Sequence, residues 1–305
     1  MNVLHVVAKS VKRFNDDKCW SSAIVISYFV LLCLIPLIAL FFYLSVKIMG
    51  TSEFAFRSLN IFTDEFFARL DPAFFKRLQA LTGAVANLGL FGLLGSLVSG
   101  SFLFSSLIST LNGIFRTNYH RSFFYNRLME YVIMFVMGLI LVFSLVITSV
   151  WTGLQRAIQE SALIKDYINP KAIAIINNFF IQYLLPFALT FLVFFVIYKF
   201  IPEVKVYTGV AALAAGIGAF LFEVFKRIFA FYVAHFSAVG IVLSQLLHGT
   251  LTSIIFFLLW ITFCLVILLW GAELAAAMNE ERLLRAQAQA EPAAAAGGAN
   301  ARRGS

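Results

Sequence analysis

The sequence predicts an all-α integral membrane protein: a bundle of about six transmembrane helices, with amphipathic helices at the interfaces. Three observations carry that fold class. From Ser22 to Val46 (SAIVISYFVLLCLIPLIALFFYLSV) there is no charged residue. At about 1.5 Å per residue such a helix reaches roughly 37 Å, enough to cross a hydrocarbon core about 30 Å thick. Several more stretches of the same kind follow. The whole chain is 61% hydrophobic and 12% charged, with a mean hydropathy of +0.91. Soluble domains carry about 25% charged residues, and 305 residues could not hide so much apolar surface from water. Thirty-five Phe point the same way, since lipid-facing and interhelical positions both accept large apolar rings.

Residues 1–21 form a cytoplasmic interfacial segment. Leu4, Val7, Val11 and Phe14 fall at helical spacing, with Lys9, Lys12 and Arg13 largely off that stripe, the pattern of a short helix lying in the headgroup region. Trp20 stands where an aromatic-belt residue belongs. Span 1 covers about 22–46. Residues 51–81 alternate Phe and Leu with charges and offer no uncharged run long enough to cross; with Asp71-Pro72 as a helix start, they read as amphipathic helices at the outer surface. Span 2, rich in Gly and Ser, covers about 84–108, and 109–130 is a polar, basic connection. Span 3 covers about 131–151, with Tyr131 and Trp151 at its two interfaces, and a polar loop follows. Asn169-Pro170 starts the helix that becomes span 4, about 174–200. Ile201-Pro202-Glu203 is a tight connection, because Pro disfavours helix in the residue before it. Span 5 covers about 206–225 and span 6 about 250–272, closing a membrane domain of residues 22–280. The low-complexity composition predicts that 281–305 is a cytoplasmic, largely disordered tail.

Six spans place both termini on one side. The first segment and the 109–130 loop are rich in Lys and Arg, which favours the cytoplasm for that side. The net charge of +8 is explained by basic residues between spans, where they meet anionic headgroups, so membrane lipids are the expected partners and nucleic acid is not. No short hydrophobic region with a small-residue cleavage site precedes span 1, which reads as an uncleaved start-transfer helix. Cys19, Cys33 and Cys264 form no CxxC pair and suggest neither a disulfide framework nor a Cys-based zinc site.

Few residues could carry chemistry. Gly92, Ser96 and Gly100 in span 2, and Ala211, Ala215 and Ala219 in span 5, lie four apart, which lets helices approach closely, either for static packing or as a sliding interface. Glu223, Lys226 and Arg227 share one face of span 5 at offsets of three and four. They form either a local ion pair with snorkelling cations or part of a polar cavity that contacts a substrate or a proton. In span 4, Asn178 and Gln182 share a face and can bond across helices. Pro186 in the same span and Pro36 in span 1 can kink their helices. Glu273 closes span 6, either exposed at the interface or paired with Arg116, Arg121 or Arg127. No phosphate loop, no HExxH and no G-x-S-x-G occurs, so neither an ATPase engine, a metal site, a cofactor nor a hydrolytic constellation is expected.

With SYFVLLCLIPLIAL in span 1, LNGIFR at 111–116, the FIPEVKV turn, the Gly/Ala-rich run into FEVFKRIFAFYV and the closing LLWITFCLVILLWGAEL, the chain resembles the BrkB/YihY family of bacterial inner-membrane proteins over about residues 10–280. That resemblance implies six spans with both ends inside, and it marks Pro36, Asn112, Arg116, Pro202, Glu223 and Glu273 as matches to family-type motif positions. Some members bear a historical ribonuclease name; others are linked to envelope integrity, virulence or export of lipids and small solutes. The expected function is a transporter or exporter of a lipid or small amphiphilic solute with no ATPase of its own, with Asn178, Gln182, Glu223 and Arg227 near its cavity. The alternatives are a non-transporting envelope scaffold that docks a periplasmic partner on 51–81, and a membrane-bound ribonuclease. A homo-oligomer is compatible with each.

Overall fold

The computed structural model describes residues 3–49, 85–117, 123–160, 183–235 and 250–301. Within these the chain is α-helical, with short turns and no strand. The helices are α1 (Val3–Asp16), α2 (Cys19–Met49), α3 (Val85–Ile114), α4 (Phe123–Glu160), α5 (Leu185–Phe200), α6 (Thr208–His235) and α7 (Thr250–Ala301). Four segments are long and apolar enough to cross a membrane: Gly92–Ile114, Arg127–Ser144, Thr208–Tyr232 and Ile254–Arg285. Helix α1 and the first part of α2, bent by 64° to each other, make a fifth if the pair is one broken span, and α5 is a shorter apolar helix of 16 residues. The protein is an all-α membrane protein. The outer segment 51–81, Asn178 and Gln182 lie outside the described residues.

Sequence and structure differ mainly at helix ends. The 109–130 connection shrinks, because α3 runs to Ile114 and α4 starts at Phe123. The α4 helix also continues to Glu160, across the start of the expected polar loop. Helix α7 continues to Ala301 where composition predicts disorder. Its first turns beyond the apolar run, AELAAAMNEERLLRAQA, are built from strong helix formers. Pro186 stands in the first turn of α5 behind a π turn at 183–184, at a change of winding rather than in mid-helix; its missing N–H costs least there.

The α1–α2 corner turns on Lys18, whose φ of 52° is left-handed. Its N–H donates to the Asn15 carbonyl (3.1 Å), while its own carbonyl accepts from Ser21 and Ser22 (3.0 and 3.2 Å). One residue thus closes one helix and opens the next. The buried face of α1 is Val6, Ser10, Arg13 and Phe14, and Val11 of the expected stripe is exposed. The face has rotated because α1 packs against α7, whose Glu280 draws Arg13 inward.

Helix α7 is the hub, packing against α1, α2 and α6. The buried core collects at one end of the bundle, from Val6 and Phe14 of α1, Leu111 and Ile114 of α3, Ile197 and Tyr198 of α5, Val206 before α6, and Leu269–Met278 of α7. The small-residue ladder of α6 is packing: Ala211, Ala215 and Ala219 are fully buried. Gly218 lies so close to Phe194 that a Cβ there would come within 2.8 Å of the ring. Outward faces are as apolar as the core, with Phe135 70% and Phe220 62% exposed, as helices solvated by lipid should be.

Candidate functional site

Ionisable side chains inside an apolar helix are costly and default to functional candidates. Helix α6 carries three of them. Lys226 donates to the Glu223 carboxylate at 3.0 Å, one turn apart, as the spacing predicts. Glu223 is buried and Lys226 half-buried. The Arg227 guanidinium lies over the Tyr183 ring, 4.5 Å from its centroid, so the π turn before α5 supplies a π face for the second cation. Glu223 is 15 residues into the candidate span Thr208–Tyr232, about 22 Å along the helix, leaving some 14 Å before its end. The cluster therefore lies inside the candidate span, in its C-terminal half. An aromatic wall adjoins it: Phe225 and Phe229 of α6 hold Trp260 of α7 at ring distances of 5.3 and 4.8 Å, and Phe222 meets the same indole edge-on. A paired carboxylate, a cation on an aromatic face and polarizable rings can hold a zwitterionic or anionic amphiphile.

The other candidate residues are distributed elsewhere. Asn112 is a clamp: its Nδ2 donates to Glu203 Oε1 (3.3 Å), and its Oδ1 accepts the Glu203 N–H (3.1 Å). This ties the end of α3 to the turn between α5 and α6, where Pro202 is buried. Asn279 of α7 braces the same turn, accepting the Tyr207 N–H (3.1 Å) and donating to the Lys205 carbonyl (3.3 Å); Lys199 also donates to the Val206 carbonyl. Arg116 is exposed, with a left-handed φ of 52°. Its N–H bonds the Gly113 carbonyl and the Thr117 N–H bonds the Asn112 carbonyl (3.0 and 3.1 Å), the two bonds of a Schellman stop. Pro36 packs against Gly95 of α3, where a Cβ would come within 3.1 Å.

For Glu273 the exposed alternative is overturned: it is fully buried, and its Oε1 accepts from the Cys19 thiol (3.7 Å). It pairs with neither arginine available to it: Arg116 caps α3, and Arg127 binds Glu130 and Ser101 (2.7 Å each). Arg121 lies outside the described residues. The helix extends past Glu273 and carries it into the contact with α2, whereas its place at the end of the apolar run suggested a boundary.

Two polar groupings were not singled out from sequence. Ser101 donates to the buried Glu130 carboxylate (2.7 Å), closing the Ser101–Arg127–Glu130 triangle between α3 and α4. The i,i+3 spacing of Arg127 and Glu130 was the available signal. Glu280 of α7 receives Arg13 (2.5 Å) and Lys9 (3.4 Å) from α1; nothing local in the sequence joins residues so far apart. Among the described residues no three His, Cys, Asp or Glu side chains converge as metal ligands.

Comparison with known proteins places this architecture. Residues 10–296 match the family profile described as Virulence factor BrkB. A UPF0761 membrane protein of Vibrio campbellii is 27% identical over 88% of this chain and 81% of its own length. One from Cronobacter sakazakii is 25% identical over 92% and 90%. One from Vibrio cholerae is 30% identical over 66% and 63%. No solved structure matches the chain. A profile match over nearly the whole length, on a bundle of membrane-spanning helices, means that the chain belongs to the BrkB family of membrane proteins.

Proposed function

We propose that the protein is a transporter or exporter of a lipid or small amphiphilic solute in the bacterial inner membrane, with both termini cytoplasmic and no ATPase or enzymatic chemistry of its own. The observation that carries this reading is the Glu223–Lys226 pair, with Arg227 beside it, inside the candidate span Thr208–Tyr232. An ionised side chain within a membrane helix is costly, by up to about 2.5–3.5 kcal/mol at the centre on insertion scales, and is rarely kept without a partner. A helix whose sole task is packing gains nothing from that cost, whereas a cargo headgroup crossing the bilayer needs polar contacts at that depth. The aromatic wall of Phe225, Phe229 and Trp260 offers the cargo's apolar part a surface along the same path.

The test is reconstitution of the full chain in liposomes, with lipid scrambling and solute efflux followed in parallel. Glu223→Gln keeps the size and polarity of the side chain but removes its charge. Transport should be lost while protein yield and helical circular dichroism are unchanged. Full transport by this variant would remove Glu223 from the mechanism.

A further inference from the structure

We propose that the groove between the start of α6 and the C-terminal part of α7 is a binding site for one anionic phospholipid, held by Arg282 and Arg285 at its headgroup. The groove has a volume of about 260 Å³. Its floor is apolar, from Val210 and Leu213 of α6 and Met278 of α7. Its rim is Glu281, Arg282 and Arg285 of α7. Arg282 is held over the groove by the Tyr207 ring, 4.8 Å from its centroid. Glu281 pairs with Arg285 across 3.6 Å, so the two arginines and one carboxylate leave the rim a single net positive charge, and Arg285, 58% exposed, still has donors to offer. A Cβ on Gly209 would make an ordinary contact with the Arg282 guanidinium, at 3.6 Å, so the start of α6 and this cation are close neighbours.

The occupant follows from how the groove continues. Leu213 begins a ridge of exposed apolar residues along α6, through Ile217, Phe220, Val224 and Ile228, at the three- and four-residue steps of one helix face. The ridge is about 22 Å long, the length of an extended acyl chain. Arg282 and Arg285 close the candidate span Ile254–Arg285, and cations at the end of a span attract anionic headgroups. Two guanidinium groups suit phosphate oxygens, which they bind as forks. Cations at the polar end and a lipid-facing apolar strip at the other fit a phospholipid with net negative charge. The headgroup end of the site, at Gly209, lies 14 residues before Glu223 on α6, about 21 Å along the helix, and the site stands whether or not the protein moves a cargo.

The test is native mass spectrometry of the purified full chain, titrated with phosphatidylglycerol or phosphatidylcholine. Phosphatidylglycerol should bind at one saturable site and phosphatidylcholine much more weakly. Arg282→Ala with Arg285→Ala should weaken phosphatidylglycerol binding about thirtyfold, each cation near the surface contributing about a factor of five. The control pair Lys12→Ala with Arg116→Asn, which removes as much charge elsewhere, should leave it unchanged. If the alanine pair does not fold, Arg285→Gln alone should weaken binding about fivefold. Equal weakening by the control pair, no weakening by either groove variant, or equal binding of the two lipids would each overturn the site.

Discussion

Asn112→Ala should loosen the bundle by about 2–3 kcal/mol. Two hydrogen bonds are lost, from Nδ2 to Glu203 Oε1 (3.3 Å) and from the Glu203 N–H to Oδ1 (3.1 Å). Removing one partner of a partly buried hydrogen bond costs about 1–3 kcal/mol, since the group left behind stays desolvated, and bonds to a carboxylate lie toward the upper end. The distances here are long, which places each bond toward the lower end. The helix stop itself should survive, because the Asn112 carbonyl that accepts from Thr117 belongs to the backbone. The assay is equilibrium unfolding in mixed detergent micelles, run as a cycle with Glu203→Ala. A shared interaction gives a coupling of about 1–2 kcal/mol between the two sites. Asn112→Asp keeps the acceptor for the Glu203 N–H but sets a carboxylate against Glu203, and should be no better than alanine. Loss of less than about 0.5 kcal/mol in Asn112→Ala, or strict additivity in the cycle, would refute the claim that Asn112 fastens α3 to the α5–α6 turn.

Other substitutions separate packing from function. Gly271→Ala should cost about 1–3 kcal/mol, because its Cβ would strike the fully buried Tyr198 ring, coming within 3.0 Å of Cζ and closer still to the hydroxyl; unfolding of Gly271→Ala with Tyr198→Phe should fall short of the sum of the single losses, since the clashing oxygen is gone. Tyr198→Phe alone should lose about 1–2 kcal/mol, because the hydroxyl donates to the Leu268 carbonyl at 2.8 Å inside the core. Arg116→Gly should be neutral or stabilising by up to about 1 kcal/mol, since glycine relieves the left-handed φ of 52°; a marked loss in unfolding experiments would mean that the guanidinium does more than end a helix. Glu280→Gln should release α1 from α7, raising hydrogen exchange of the 5–16 amides about tenfold, as Arg13 and Lys9 lose their common partner.

The membrane class was legible because hydrocarbon thickness imposes a length on every span, and the run from Ser22 to Val46 meets it unaided. The Glu223–Lys226 pair and the turn at Pro202 were legible for a similar reason: both are local and follow from helix pitch or from proline geometry. Burial was not. In lipid the outer face is as apolar as the core, so Phe135 and Ala215 look alike in a hydropathy profile although one is mostly exposed and the other fully buried. Hence the rotated face of α1, where Ser10 and Arg13 turn inward and Val11 outward. Glu273 was misplaced because the end of an apolar run resembles a membrane boundary, while the helix itself continues through it. The clamps at Asn112, Asn279 and Glu280 join residues far apart in the chain, and no local spacing encodes them.

The most direct test of the central claim is the movement of a fluorescent phospholipid between leaflets of liposomes holding the purified full chain, measured beside protein-free liposomes and beside Glu223→Gln. The account predicts exchange well above the protein-free rate with the native chain and a return to that rate in the variant. Protein-free rates with the native chain, for phospholipids of every headgroup charge and for small amphiphilic solutes alike, would contradict it.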